Sequence, residues 1–211
     1  MIAGYFLFSS LLFLLYVNGI SKASRPNLAA RDDLLLDEIT LLIPYRNENK
    51  TLPQLLASLR EQKKLPKEII LINDHSNDGS ETMNLELGIA CPIKVLHLGE
   101  NEIGKKAAIR KGVAESTGSY ILTWDADIQP SKEYFSHLQS EKTCDLLILP
   151  VRMTGNKWYS WFFTLDYDYL PNLHWALSGF GLQLSCSGAN LLFKKESFNA
   201  ADSIQSHRRV A

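Results

Sequence analysis

Between Asp37 and Leu149 the chain alternates short apolar runs with segments of helical period, and that alternation restricts the folds open to it. Residues 39–43, 68–72, 93–98, 120–124 and 145–149 are too short for stable helices and are dominated by Ile, Leu, Val and Tyr. Such runs suit strands buried on both faces of a parallel sheet. Between the first two, Leu52, Leu55, Leu56 and Leu59 recur at helical spacing, with Thr51 placed to cap and Pro53 in the first turn. Residues 105–115 read as an Ala-containing helix before the fourth run. Strand and helix in alternation imply an α/β fold, a Rossmann-like and mostly parallel sheet with helices on both faces.

The first 21 residues carry no charged side chain and are rich in Leu, Phe, Ile and Tyr. A helix of about 20 residues spans the roughly 30 Å of a hydrocarbon core. Nothing basic precedes the run, while Lys22, Arg25 and Arg31 follow it. This asymmetry predicts a retained transmembrane helix over 1–21 rather than a cleaved signal peptide, with the large domain in the cytoplasm. Residues 22–36 then read as a juxtamembrane linker and 37–211 as one domain. With 22 basic and 23 acidic side chains the net charge is −1, which leaves no positive field for nucleic acid. Cys91, Cys144 and Cys186 are scattered and read as reduced thiols. Residues 158–175 hold three of the four tryptophans; aromatics at this density read first as core, second as a sugar groove or a membrane interface.

The chemistry concentrates at the ends of the apolar runs. Asp125 and Asp127 follow the fourth run, one residue apart, where a strand leaves the sheet at the ligand-binding edge of an open α/β fold. Two carboxylates so close repel unless a cation lies between them, and hard oxygen donors suit Mg2+ or Mn2+ held with a substrate's phosphates. A solvated Asp turn would look the same in isolation. The neighbouring strand ends favour the metal. Asp74 follows the second run, Pro44-Tyr45-Arg46-Asn47-Glu48 the first, and Gly104-Lys105-Lys106 opens the third helix, a position suited to phosphate.

These segments, in this order, resemble the family 2 glycosyltransferases of the nucleotide-sugar-binding GT-A fold, from about Glu38 to the end of the chain. The resemblance rests on residues 44–48, Asn73-Asp74-x-Ser76, Gly104-Lys105, Asp125-x-Asp127 and Ser187-Gly188-Ala189-Asn190. It implies inverting transfer of a sugar from a UDP-sugar donor to a glycan or lipid-linked acceptor at a membrane. By the family pattern Asp74 contacts the base, Asp125 the ribose side and Asp127 a divalent metal bridging the diphosphate. Pro44, Tyr45 and Glu48 would line the nucleotide pocket, Lys105 and Lys106 would take the phosphates, and 187–190 would lie near donor sugar and acceptor. The Gly-Lys form is similar to the membrane-associated branch.

Three departures accompany the resemblance. Asn73 stands in place of the first Asp of the usual pair, and Ile109 where many members have Arg. The acidic motif that supplies the general base should follow residues 187–198, yet only Glu196 and Asp202 remain before Ala211. The family domain therefore reads as incomplete at its C-terminal end, and a chain that binds nucleotide-sugar without transferring it is the second expectation. A nucleotidyltransferase is a third, but its Gly-rich loop has no counterpart in Tyr45-Arg46-Asn47-Glu48-Asn49. The five histidines show no zinc spacing.

Overall fold

The five apolar runs all become strands, and a sixth joins them. They are β1 (Ile39–Tyr45), β2 (Glu68–Asn73), β3 (Ile93–His97), β4 (Tyr120–Trp124), β5 (Leu146–Ile148) and β6 (Asn190–Lys194). The computed structural model describes residues 2–23, 32–82, 88–152, 172–173, 175–182 and 188–208. The strands form one sheet in the order β3-β2-β1-β4-β6-β5. Pairing is parallel between β1 and β2, β1 and β4, and β2 and β3. It is antiparallel on both sides of β6. The sheet is therefore mixed, and β6 is the strand the sequence reading lacked. Leu191-Leu192-Phe193 is too short an apolar stretch to stand out, and it is a strand because β4 and β5 supply partners on both sides.

Alternation along β1 sorts the core. Ile39, Leu41 and Ile43 face one side with Ile69, Leu71, Leu122 and Trp124. Onto that side pack Leu52, Leu55, Leu56 and Leu59 of α2 (Thr51–Arg60) and Phe135 and Leu138 of α3 (Tyr134–Leu138); the helix Lys105–Glu115 between these two is labelled αP. On the other side Leu42, Ile70, Ile72 and Ile121 meet Ala108 and Val113 of αP, with Phe193. Phe198 of α4 (Lys195–Arg208) packs there too, its ring stacked on Phe193 at 5.2 Å between centroids. Period 2 in the strands thus meets helical period on both faces. At the start of α2 the capping position is Lys50, with no side-chain cap, and Thr51 is the first helical residue, its hydroxyl bonded back to Glu48.

The chain divides into two compact units, residues 31–149 with 188–211, which holds the sheet, and residues 1–30 with 150–187. The sheet unit takes in residues 31–36 of the expected linker: Leu34 is fully buried and its N–H donates to the Glu141 carbonyl at 3.1 Å. In the other unit α1 (Ile2–Ala23) covers the expected transmembrane stretch. The expectation of a single-pass anchor with a cytoplasmic domain is not met: no helix among the described residues is long and apolar enough to cross a membrane. Asn18, Ser21 and Lys22 break the apolar run, and α1 meets protein at its C-terminal end. A Cβ on Gly19 would run into the Ala176 carbonyl, and the Lys22 ammonium lies 4.8 Å from the centre of the Phe180 ring. The aromatic stretch 158–175 falls almost wholly outside the described residues, as do 24–31 and Ser187.

Candidate active site

From β1 the chain winds outward to β2 and β3, then crosses to β4 on the other side of β1. The C-terminal ends of β1 and β4 therefore flank the switch point where open α/β sheets bind ligands. Residues 44–48 leave one side of that crevice, and Asp125 and Asp127 the other.

The loops after β1 and β2 are fastened to one another. The Asn47 N–H donates to the Ser76 hydroxyl at 3.0 Å, and the Asn77 N–H returns a bond to the Asn47 side-chain oxygen at 2.8 Å. Asn49 bonds Asp78 twice, through its backbone N–H at 3.0 Å and its side-chain amide at 2.9 Å. Asn47 and His75 both sit at φ 57°, a left-handed conformation, and at Asn47 these bonds offset the strain. Asn73, the departure from the usual Asp, accepts from the Ser76 N–H at 2.9 Å and lies 3.2 Å from His97 Nδ1. An amide can do both because it presents acceptor and donor.

Asp74 is 6% exposed and joins three segments. Its Oδ2 accepts from the Gly104 N–H at 3.0 Å and lies 4.0 Å from Arg46, while Oδ1 is 3.1 Å from His75 Nδ1. Gly104, at φ 89°, turns the chain into αP without any side-chain cap. Lys105, the first residue of αP, forms an ion pair with Asp125. Asp127 is exposed. Pro44 is half-buried at the end of β1, and Glu48 lies at the entry to α2. Tyr45 belongs to the core, and burial first, then the Glu81 charge, raises its pKa. Lys106 is exposed in the first turn of αP. The structure thus brings Asp74, Gly104, Lys105 and Asp125 into one chain of contacts. Arg46 and His75 are members that the sequence reading did not single out.

Residues 188–190 run beside Asp125, whose N–H donates to the Ala189 carbonyl at 3.3 Å. Asn190 itself points inward, 5% exposed. Its side-chain oxygen accepts from Trp124 Nε1 at 3.1 Å and the Tyr134 hydroxyl at 2.6 Å. Burial pushes the Tyr134 pKa up to about 12, so it stays a neutral donor. Both late acids are engaged in ion pairs. Asp202 is held by Arg110 through paired bonds at 2.8 and 2.9 Å, and Glu196 is paired with Lys194.

No cluster of three or more His, Cys, Asp or Glu able to hold a metal occurs among the described residues. The donor set nevertheless fits a divalent ion that brings its own phosphate ligands. It offers hard carboxylate oxygens on Asp125 and Asp127, and Asp125 has already drawn a cationic group to itself.

Comparison with known proteins decides the family. The model of glycosyl transferase family 2 matches residues 40–200. The chain belongs to that family. A prophage bactoprenol glucosyl transferase homolog of Escherichia coli K12 is 32% identical over 104 residues, covering 48% of this chain and 34% of its own. An undecaprenyl-phosphate 4-deoxy-4-formamido-L-arabinose transferase of Serratia proteamaculans is 35% identical over 109 residues, covering 49% and 33%. This family 2 chain thus spans about a third of the length of these relatives. Among solved structures, the mannosyltransferase PcManGT from Pyrobaculum calidifontis, in complex with GDP-Man and Mn2+, superposes with TM-score 0.61 at 18% identity, over 87% of this chain and 52% of its own. TarS 1–349 of S. aureus in complex with UDP gives 0.51 at 22% identity, over 57% and 37%. At these identities the likeness establishes the fold.

Proposed function

We propose that this family 2 chain carries the donor site of an inverting glycosyltransferase that uses a UDP-sugar, a divalent metal and a lipid-linked acceptor. The observation that carries the reading is the junction of αP with β4, where Lys105 meets Asp125 beside the exposed Asp127. In this reading Asp74, with Pro44 and Glu48, forms the nucleotide end of the crevice and Asp125 faces the ribose side, while Tyr45 packs in the core instead of lining the pocket. Lys105 and Lys106 neutralise the diphosphate, whose negative charge grows as the bond to the sugar breaks. When bound, Mg2+ or Mn2+ held by Asp127 and Asp125 would supply Lewis-acid stabilisation of that leaving group. The solved fold neighbour that contains Mn2+ and GDP-Man supports this choice of cofactor class.

A phosphate monoester acceptor attacks without a base, because its second pKa near 6 leaves its oxygen ionised at neutral pH. Relatives named for bactoprenol and undecaprenyl-phosphate substrates support an acceptor of that class.

The test is calorimetry of UDP binding with Mn2+ and with chelator. UDP is expected to bind the metal-loaded chain, and Asp127→Asn to weaken that binding by roughly tenfold or more while the fold survives. Equal UDP binding with and without metal would overturn the site assignment.

A further inference from the structure

Lysines at the start of a helix stand against its field. The N-terminus carries about half a positive charge and favours anions. αP nevertheless has no acidic residue in its first turn, and opens on Lys105 and Lys106 behind an uncapped Gly104. The Lys105 ammonium settles on the Asp125 carboxylate. A Cβ built on Gly188 would lie 3.8 Å from that ammonium, so Lys105 reaches across the crevice as far as the segment preceding β6.

Both partners keep access to solvent, with side chains 43% and 38% exposed. A pair this open exchanges readily, and a lysine carries its charge on a flexible stem that can move to another anion. Asp125 is also one of the two carboxylates proposed above for the metal. A bare divalent ion bound there therefore competes with Lys105 for the carboxylate, and leaves the ammonium short of an anion at a positive helix end. An ion arriving with a diphosphate brings the anion that the ammonium and the helix end require.

We infer that Lys105 is an exchangeable counter-cation. It occupies Asp125 in the nucleotide-free chain, competes with the bare metal, and passes to the diphosphate when metal and nucleotide arrive together. This rests on the donor-site reading above, and it assigns Lys105 effects of opposite sign on the two ligands. Removing the ammonium should strengthen binding of the metal alone and weaken binding of the nucleotide with metal.

The experiment titrates the full chain with Mn2+ alone, then with UDP at saturating Mn2+, for the wild type, Lys105→Met and Lys105→Arg. Circular dichroism confirms folding of each variant. Lys105→Met should bind Mn2+ about threefold to tenfold more tightly, the range expected when an exposed ion pair no longer opposes a divalent ion. The same variant should bind UDP with Mn2+ about tenfold more weakly, and Lys105→Arg should stay close to wild type in both titrations. Lys94→Met removes a charge paired with Glu115 away from the crevice and should shift neither. Mn2+ affinity that is unchanged or lower in Lys105→Met, or undetectable in both chains, overturns the inference even where UDP binding is intact. A wild type that binds no UDP overturns the donor reading instead, and the metal titration still decides the competition at Asp125.

Discussion

Asn190 gathers two donors onto one oxygen, from the Trp124 indole and the Tyr134 hydroxyl. Both rings pack edge to face at 4.8 Å between centroids, with Trp124 fully buried. Replacing the amide by a methyl strands the buried Trp124 N–H and the part-buried Tyr134 hydroxyl, and an unsatisfied buried polar group costs about 1–3 kcal/mol. Asn190→Ala should therefore lower stability by about that amount, read as a shift in urea midpoint with an unchanged slope. A neutral outcome would show that other groups satisfy the ring donors. The positions of several candidate site residues were legible from the sequence alone. Asp74, Lys105 and Asp125 stand at strand and helix ends because polar chemistry in an α/β fold collects there. The tasks of Asn73, Asn190 and Asp202 were not legible. An amide or a carboxylate takes whichever partner the fold delivers, and for Asp202 that partner is Arg110.

At the scale of elements, two glycines set how closely segments approach. A Cβ on Gly118, just before β4, would lie 2.5 Å from the Glu38 carbonyl oxygen and 2.8 Å from the Thr40 N, both backbone atoms. A Cβ on Gly112 of αP would meet Leu42 Cδ1 at 2.9 Å and Ile72 Cδ1 at 3.2 Å, the free ends of side chains. Backbone cannot yield without disturbing the β1–β4 ladder, whereas methyl ends can turn aside. Alanine within a helix also recovers about 1 kcal/mol of propensity relative to glycine. Gly118→Ala should thus cost about 1–3 kcal/mol, and Gly112→Ala distinctly less. Chemical denaturation of both variants checks the order, and the reverse order would show that αP cannot shift on the sheet. Strand and helix positions were readable because hydrophobic period is a local property. β6 was not, since its strand state depends on neighbours about 45 and 70 residues away. α1 was readable as a helix, while what it packs against was not. The Ala176 carbonyl against Gly19 lies far along the chain.

Across the whole sheet unit, Glu68 fastens β1, β2 and the approach to β4 at their N-terminal ends. Its Oε1 accepts from the Thr117 N–H at 2.6 Å, the Thr40 hydroxyl at 2.7 Å and the Thr117 hydroxyl at 2.8 Å. Burial pushes its pKa up, but these bonds together with the Lys67 charge outweigh burial and hold it below the usual value. A carboxylate lowered on folding contributes stability above its unfolded pKa, near 4.3, and that contribution is lost as pH falls through the lower folded value. Glu68→Gln should therefore be less stable than wild type at pH 7. The gap should close progressively below about pH 4, followed by thermal melts across that range. A gap independent of pH would place the role of Glu68 in its shape rather than its charge. Period, turn chemistry and the placing of acids and lysines at strand and helix ends are written along the chain, because each depends on residues a few positions apart. They were enough for the α/β class, for five strands and for placing the candidate acids and lysines at strand and helix ends. The partners were decided elsewhere. Lys105 finds Asp125, Arg110 finds Asp202 and Trp124 finds Asn190 across 20, 92 and 66 residues. Those meetings follow from the crossing of the chain from β3 to β4 and the antiparallel return of β6, which burial of both sheet faces selects and no local pattern encodes.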